Sequence, residues 1–269
     1  MKKILLPSDF SEHAEASAIY AAHLSRALKV PVDIVHVTDA AGTIGLYAEG
    51  SQIVKERLRK QLWKLSQKMH DAVDGDLKYD TLLLAGTTTS ALASIADKYD
   101  LIVMSAKGKV DLDYFFLGST TKHLVQKAQT PILVVPPNYS FKAPEKIVWA
   151  LDDQHIGTTK QISPLPELAR HFGAKLEIFH QDEGDQDKGF KLDLSIFLEN
   201  IQYSIHYDFN DTSITDSIIE FAESEQADMI CMIHHRRPLL QKLFNPSNTI
   251  SSISKSKLPI LILPELGIA

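Results

Sequence analysis

Short apolar runs alternate with longer amphipathic stretches along the whole chain. In the first half, runs near residues 3 to 7, 32 to 37, 79 to 85, 101 to 104 and 131 to 136 read as strands. Helices are expected between them. Ser11-Glu12-His13-Ala14-Glu15-Ala16 opens the first, with Ser11 as N-cap and acids in the first turn. Leu58, Leu62, Leu65 and Met69 space an apolar stripe along the second. Several strand runs are apolar throughout, which suits strands covered by helices on both faces. The alternation predicts an α/β fold, a doubly wound parallel sheet. Ligands in such sheets bind beyond the carboxyl ends of the strands.

The pattern occurs twice. Lys3-Ile4-Leu5-Leu6-Pro7-Ser8-Asp9 is echoed by Lys146-Ile147-Val148-Trp149-Ala150-Leu151-Asp152, and Asp33-Ile34-Val35-His36 by Glu177-Ile178-Phe179-His180. Asp100-Leu101-Ile102-Val103-Met104 matches Asp228-Met229-Ile230-Cys231-Met232 at an offset of 128 residues. Thr130-Pro131-Ile132-Leu133-Val134-Val135-Pro136 matches Leu258-Pro259-Ile260-Leu261-Ile262-Leu263-Pro264 at the same offset. A polar, proline-bounded stretch from Pro137 to Glu145 separates the copies. Two tandem domains are expected, 1–137 and 145–269.

Composition narrows the function classes. With 44% hydrophobic and 23% charged residues, the 269-residue chain reads as an ordinary globular protein able to bury two cores. A net charge of −6 argues against a nucleic-acid partner, which would need a basic surface. The single cysteine, Cys231, lies in an apolar run and reads as a buried thiol rather than a nucleophile. The opening run Ile4-Leu5-Leu6 is too short for a signal segment or a membrane span. A cytoplasmic protein with no membrane partner is therefore expected.

One loop carries candidate chemistry. Met104-Ser105-Ala106-Lys107-Gly108 leaves a buried strand, and the chain reaches Gly118-Ser119-Thr120 at a helix start. Gly108 and Gly118 let backbone N–H groups approach an anion, and the helix beginning at Ser119 adds its positive dipole end. No Gly-Lys-Ser/Thr follows, so this is not a Walker loop.

These residues resemble the universal stress proteins, whose ATP-binding members carry Gly-x-x-Gly-x9-Gly-Ser/Thr after the fourth strand. Here nine residues separate Gly108 from Gly118, Ser119 follows, and Ser105 stands at the first glycine. The Lys-Ile-Leu-Leu-Pro-Ser-Asp-Phe-Ser opening, the Val-His-Val strand end, Asp-Leu-Ile-Val-Met and Pro-Ile-Leu-Val-Val-Pro extend the resemblance along the chain. It implies two Rossmann-like domains of the adenine nucleotide alpha hydrolase type. It further implies ATP as ligand, with or without Mg²⁺. By resemblance Asp9 and Val37 hold the adenosine end, Val37 through its backbone. Met104, Ser105 and Gly108 line ribose and phosphate, and Gly118, Ser119 and Thr120 bind phosphates. The last strand of each copy is implied to pair across a pseudo-two-fold as an internal dimer, with a further homodimer left open.

Each residue also has a plainer reading. Asp9 can cap the first helix, the glycines can be turn residues, and Ser119 an N-cap. Serine at 105 costs about 1 kcal/mol or more if a positive φ is required there. His36 reads as a structural, hydrogen-bonded histidine. In the second copy Ile233, Arg236 and Pro246 stand where the first has Ser105, Gly108 and Gly118, so no nucleotide is expected there. The run His234-His235-Arg236-Arg237 reads as a solvated basic loop and the acids from Asp182 to Asp187 as a solvated loop. Two functions remain: a nucleotide-sensing stress protein, and a nucleotide-independent module that binds a protein or small-molecule client. Slow ATP hydrolysis stays a third reading without an identified general base.

Overall fold

Ile4, Leu5 and Leu6 are consecutive and all fully buried, which in a strand requires cover on both faces. In this computed structural model, residues 1–38, 48–108, 115–116, 119–127, 129–137, 139–151, 162–181, 194, 197–208, 214–234 and 257–264 are described. The chain forms two units, the first from Met1–Lys107 and Leu117–Phe141, the second from Gly108–Phe116 and Lys142–Ala269.

In the first unit, β1 (Ile4–Pro7) is flanked by β2 (Val32–Thr38) on one side and β4 (Leu101–Ser105) on the other. Strand β3 (Tyr79–Ala85) lies outside β2, and β7 (Ile132–Val135) lies outside β4. All these pairings are parallel, in the order β7-β4-β1-β2-β3. The chain runs outward from β1 to β3 and then returns to the other side of β1, so strand order reverses between β1 and β4. That is a topological switch point, where a crevice opens at the strands' carboxyl ends.

Helix α1 (Glu12–Leu28) follows β1 and starts where Ser11 Oγ accepts the Ala14 N–H at 3.3 Å. Its alanine-rich inner face packs against β4 and against α2 (Ala48–Ala72). On α2 the predicted stripe is realised: Leu62, Leu65 and Met69 are buried and Leu58 is half-buried. Helix α3 (Thr88–Ala93) follows β3 and packs against α4 (Ser119–Lys127), which precedes β7. The two-residue strands β5 (Lys107–Gly108) and β6 (Phe115–Phe116) pair within the β4–α4 connection.

The second unit repeats the scheme. Strand β8 (Lys146–Ala150) is central, with helix α5 (Pro164–Phe172) preceding β9 (Lys175–Gln181). Strand β10 (Tyr203–Asp208), helix α6 (Ile214–Ser224), β11 (Met229–His234) and β12 (Ile260–Pro264) complete it. The order β12-β11-β8-β9-β10 is again all parallel. The expected pair of doubly wound α/β domains is what forms.

The repeat extends to side-chain contacts that the apolar pattern does not show. Asp100 Oδ2 accepts the N–H groups of Lys2 and Lys3 at 2.7 and 2.9 Å, tying the start of β1 to β4. Asp228 Oδ2 does the same for Glu145 and Lys146 at 2.8 and 3.1 Å, tying β8 to β11. Burial alone would raise the Asp228 pKa. The Lys142 ammonium at 2.7 Å and the two N–H donors outweigh burial and hold the carboxyl below its ordinary value. The imidazole at the end of the second strand also recurs: His36 Nδ1 donates to the Ser8 carbonyl at 2.8 Å, and His180 Nδ1 to that of Leu151 at 3.0 Å.

Candidate functional site

At the switch point of the first unit lies an open cleft. Its floor is the end of β1 and the residues after it, Pro7, Ser8 and Asp9, with Val35 to Val37 of β2 beside them. Met104 and Ser105 close it from β4, Thr88 and Leu92 from α3, and Thr120 and Thr121 from the first turn of α4.

The geometry after β1 is tightly determined. The Ser8 N–H donates to the Val35 carbonyl at 2.9 Å, the last ladder bond between the two strands. Phe10 then takes a left-handed φ of 62°, uncommon for a bulky residue. Its ring stacks on His36 at 4.4 Å, and its N–H donates to Ser8 Oγ at 3.1 Å. Asp9 Oδ1 accepts from Ser11 N–H at 3.1 Å and from Ser11 Oγ at 2.6 Å. Asp9 thus holds the N-cap residue rather than capping the helix itself. A carbonyl only accepts, so the bond to Ser8 puts the His36 proton on Nδ1 and leaves Nε2 as the acceptor of the neutral ring.

Val37 acquires its backbone role from register. In a parallel strand, N–H and C=O of one residue address the same neighbour and successive residues alternate. Val32 N–H donates to Lys78 O on the β3 side, whereas Val35 O accepts from Ser8 on the β1 side. Val37 therefore turns its N–H and C=O toward β1, but β1 has ended at Pro7, opposite Val35. Both groups face the cleft beyond the last ladder partner, a donor and an acceptor side by side.

Ser105 closes β4 in extended conformation, and it is not among the residues with positive φ. The serine in place of glycine therefore carries no backbone strain. Ser119 is the exposed first residue of α4, and Thr121 behind it is buried. Gly108 lies in β5. Gly118 lies outside the described residues, as do Asp152, Arg236, Pro246 and Ser247 in the second unit; Ile233, at the position of Ser105, is buried in β11.

Of the expected residues, Asp9, Val37, Met104, Ser105 and Thr120 thus line one cleft. Ser8, His36, Thr88, Leu92 and Thr121 join them without having been anticipated. The Gly86-Thr87-Thr88-Thr89 run after β3 was the available signal for the α3 wall, since glycine followed by threonines marks a helix start. Asp9 is the one carboxylate among the described lining residues; beside it and the His36 imidazole, the lining side chains are apolar or hydroxylic. Such a lining suits an uncharged, flat ligand portion with a hydroxyl near Asp9. An attached anion would lie toward the α4 N-terminus, where N–H groups and dipole favour it.

Comparison with known proteins agrees with this architecture. The sequence profile of the universal stress protein family matches residues 1–136 and 208–264. Universal stress protein MJ0531 of Methanocaldococcus jannaschii is 31% identical over 138 residues, covering 50% of this chain and 81% of its own. Universal stress protein Slr1230 of Synechocystis is 22% identical over a 306-residue alignment that covers 97% of this chain and 99% of its own. The crystal structure of a universal stress protein from Archaeoglobus fulgidus shares the fold with a TM-score of 0.77 at 18% identity, covering 98% of each chain. The profile matches more than half of the residues and reaches both repeats, so this chain belongs to the universal stress protein family, with two of its domains in tandem.

Proposed function

We propose that the first unit binds ATP or a related adenine nucleotide in this cleft, and that occupancy is the signal the protein passes on in a stress response. The observation that carries the reading is the Val37 N–H and C=O pair, presented beyond the end of β1. An adenine edge offers the complementary acceptor and donor. Around it, Val35 and Leu92 supply apolar contact, Asp9 offers a carboxylate to ribose hydroxyls, and Thr120 and Thr121 open the helix toward phosphates. The unstrained backbone at Ser105 supports the same reading, because the departure from the glycine motif does not distort the cleft wall. Gly108, Gly118 and Ser119 would complete the phosphate cradle, with Mg²⁺ as a counter-ion.

Isothermal titration calorimetry of nucleotide-stripped protein with ATP, with and without Mg²⁺, tests the proposal. One saturable site per chain is expected, lost in Ser105→Phe, whose ring would fill the cleft. Absence of heat at large ATP excess would overturn it and leave the nucleotide-independent interaction module as the function.

A further inference from the structure

The outward face of α2 differs from the rest of the molecule. Between Lys55 and Lys64 the helix carries Lys55, Arg57, Arg59, Lys60 and Lys64 against the single acid Glu56, a segment charge of +4 in a chain of net charge −6. All six side chains are exposed, and none of the five cations has an ion-pair partner among the described residues. Trp63 stands among them at 60% exposure, and Ile53 at 68%. These are the two most exposed large hydrophobic residues described. At 100° per residue, Ile53, Glu56, Arg57, Lys60, Trp63 and Lys64 fall within about one third of the helix circumference, three cations against one acid on that arc, with Lys55 and Arg59 off it; Ile53 and Trp63 are about 15 Å apart along the axis.

An exposed tryptophan and isoleucine keep apolar surface in water that covering would favourably remove, and the surrounding charge states what sign the covering surface has. We propose that this face of α2 docks onto an anionic lipid bilayer, with Trp63 and Ile53 entering the headgroup layer and the lysines and arginines pairing with acidic headgroups. Helix α2 meets its partner as a convex ridge, which fits a deformable, planar surface; an acidic protein would need a matching groove. A nucleic acid would engage the cations and stack on Trp63 but leave Ile53 uncovered. Indole side chains favour the membrane interface, and basic residues within a Debye length add attraction one by one. The acidic remainder of the chain is repelled by the same surface, so α2 is the face presented. The expectation of no membrane partner rested on the absence of an apolar run long enough to span a bilayer, a criterion that does not register peripheral docking, and whole-chain net charge hides this segment because it averages over both signs. The inference concerns peripheral docking and is independent of what occupies the cleft.

Co-sedimentation of the full chain with vesicles of phosphatidylcholine, with and without phosphatidylserine, tests it. Binding is expected only with phosphatidylserine and is expected to weaken with salt. Removing two cations, Lys60→Gln with Lys64→Gln, should weaken partitioning roughly 30-fold. Trp63 gives a second readout: its emission should shift to the blue and become protected from iodide on anionic vesicles. The only other tryptophan, Trp149, is fully buried and supplies a constant background. Trp63→Ala, at an exposed position, should fold normally by circular dichroism, lose the spectral shift and bind more weakly. No sedimentation with phosphatidylserine at low salt overturns the proposal, as does equal binding to phosphatidylcholine alone. A Trp63 shift caused by single-stranded RNA or by self-association, and not by vesicles, overturns it in favour of that partner.

Discussion

Asp9 has two candidate duties, and two substitutions separate them. Its Oδ1 holds Ser11 through N–H and hydroxyl contacts of 3.1 and 2.6 Å at the start of α1; in the proposed complex the carboxylate also receives ribose hydroxyls. Asp9→Asn keeps an oxygen acceptor for Ser11 but removes the charge. Asp9→Ala removes both. Hydrogen bonds to charged groups contribute about 1.5–3 kcal/mol, and the solvent-exposed position of Asp9 argues for the low end. Loss of that contact should weaken ATP binding about tenfold in Asp9→Asn, with thermal stability nearly unchanged. Asp9→Ala should weaken binding to a similar degree and also cost about 0.5–1 kcal/mol of stability, a fall in Tm of about 2–4 °C. Calorimetric titration and a thermal melt of the same samples read both quantities. Unchanged ATP affinity in Asp9→Asn, with a lowered Tm in Asp9→Ala alone, would refute the ribose role and leave Asp9 as part of the helix cap.

Three further outcomes follow from the geometry. Asp228 has a folded pKa below its unfolded value, so the stability it contributes is complete above the unfolded carboxylate pKa of about 4 and is lost as pH falls through the lower folded pKa. Asp228→Asn should flatten that acid limb in pH-dependent urea melts; an unchanged limb assigns the effect to other carboxylates. Cys231 is fully buried in β11, and burial pushes its thiol pKa well up; a disulfide reagent should leave it untouched in native protein and react only on unfolding, whereas rapid native labelling would contradict its placement. Lys29 ends α1 in a left-handed conformation with φ 56°, whereas Gly173 ends α5 in the same conformation with φ 68°. Lys29→Gly should therefore stabilise the first unit by about 0.5–1 kcal/mol in denaturant titration, and destabilisation would show that the lysine side chain contributes more than its backbone strain costs.

Much of the fold was legible because doubly covered strands must be apolar on both faces, as Ile4-Leu5-Leu6 and Ile132-Leu133-Val134-Val135 are. The same burial makes the repeat visible, since both copies meet the same packing demand with similar residues. The glycine spacing after β4 pointed to the end of the sheet at which the cleft opens. Charge was less legible in the average: the basic face of α2 is plain in the residues from Lys55 to Lys64, but a net value of −6 conceals it.

Strand order lay beyond the sequence pattern, because an apolar run specifies that a strand is buried and not which neighbours it has. Only the placement of β2 beside a β1 that stops at Pro7 leaves the Val37 backbone beyond the last ladder partner, and only that placement brings His36 to the Ser8 carbonyl. The α3 wall of Thr88 and Leu92 depends on the same crossing. Asp33 illustrates the point in a strand whose acid breaks the apolar run: it is buried because Lys3 Nζ and the Tyr99 hydroxyl, both at 2.7 Å, converge on it from distant parts of the chain. Conversely, Trp63 has the residue type of a core position, and packing leaves it outside because Leu62, Leu65 and Met69 already fill the face that α2 buries. Sequence alone determined the elements, their repetition and the loop that marks the cleft, since each follows from local burial and turn chemistry. Tertiary structure decided which backbone groups are left without a ladder partner and which side chains meet solvent, because both depend on neighbours far away along the chain.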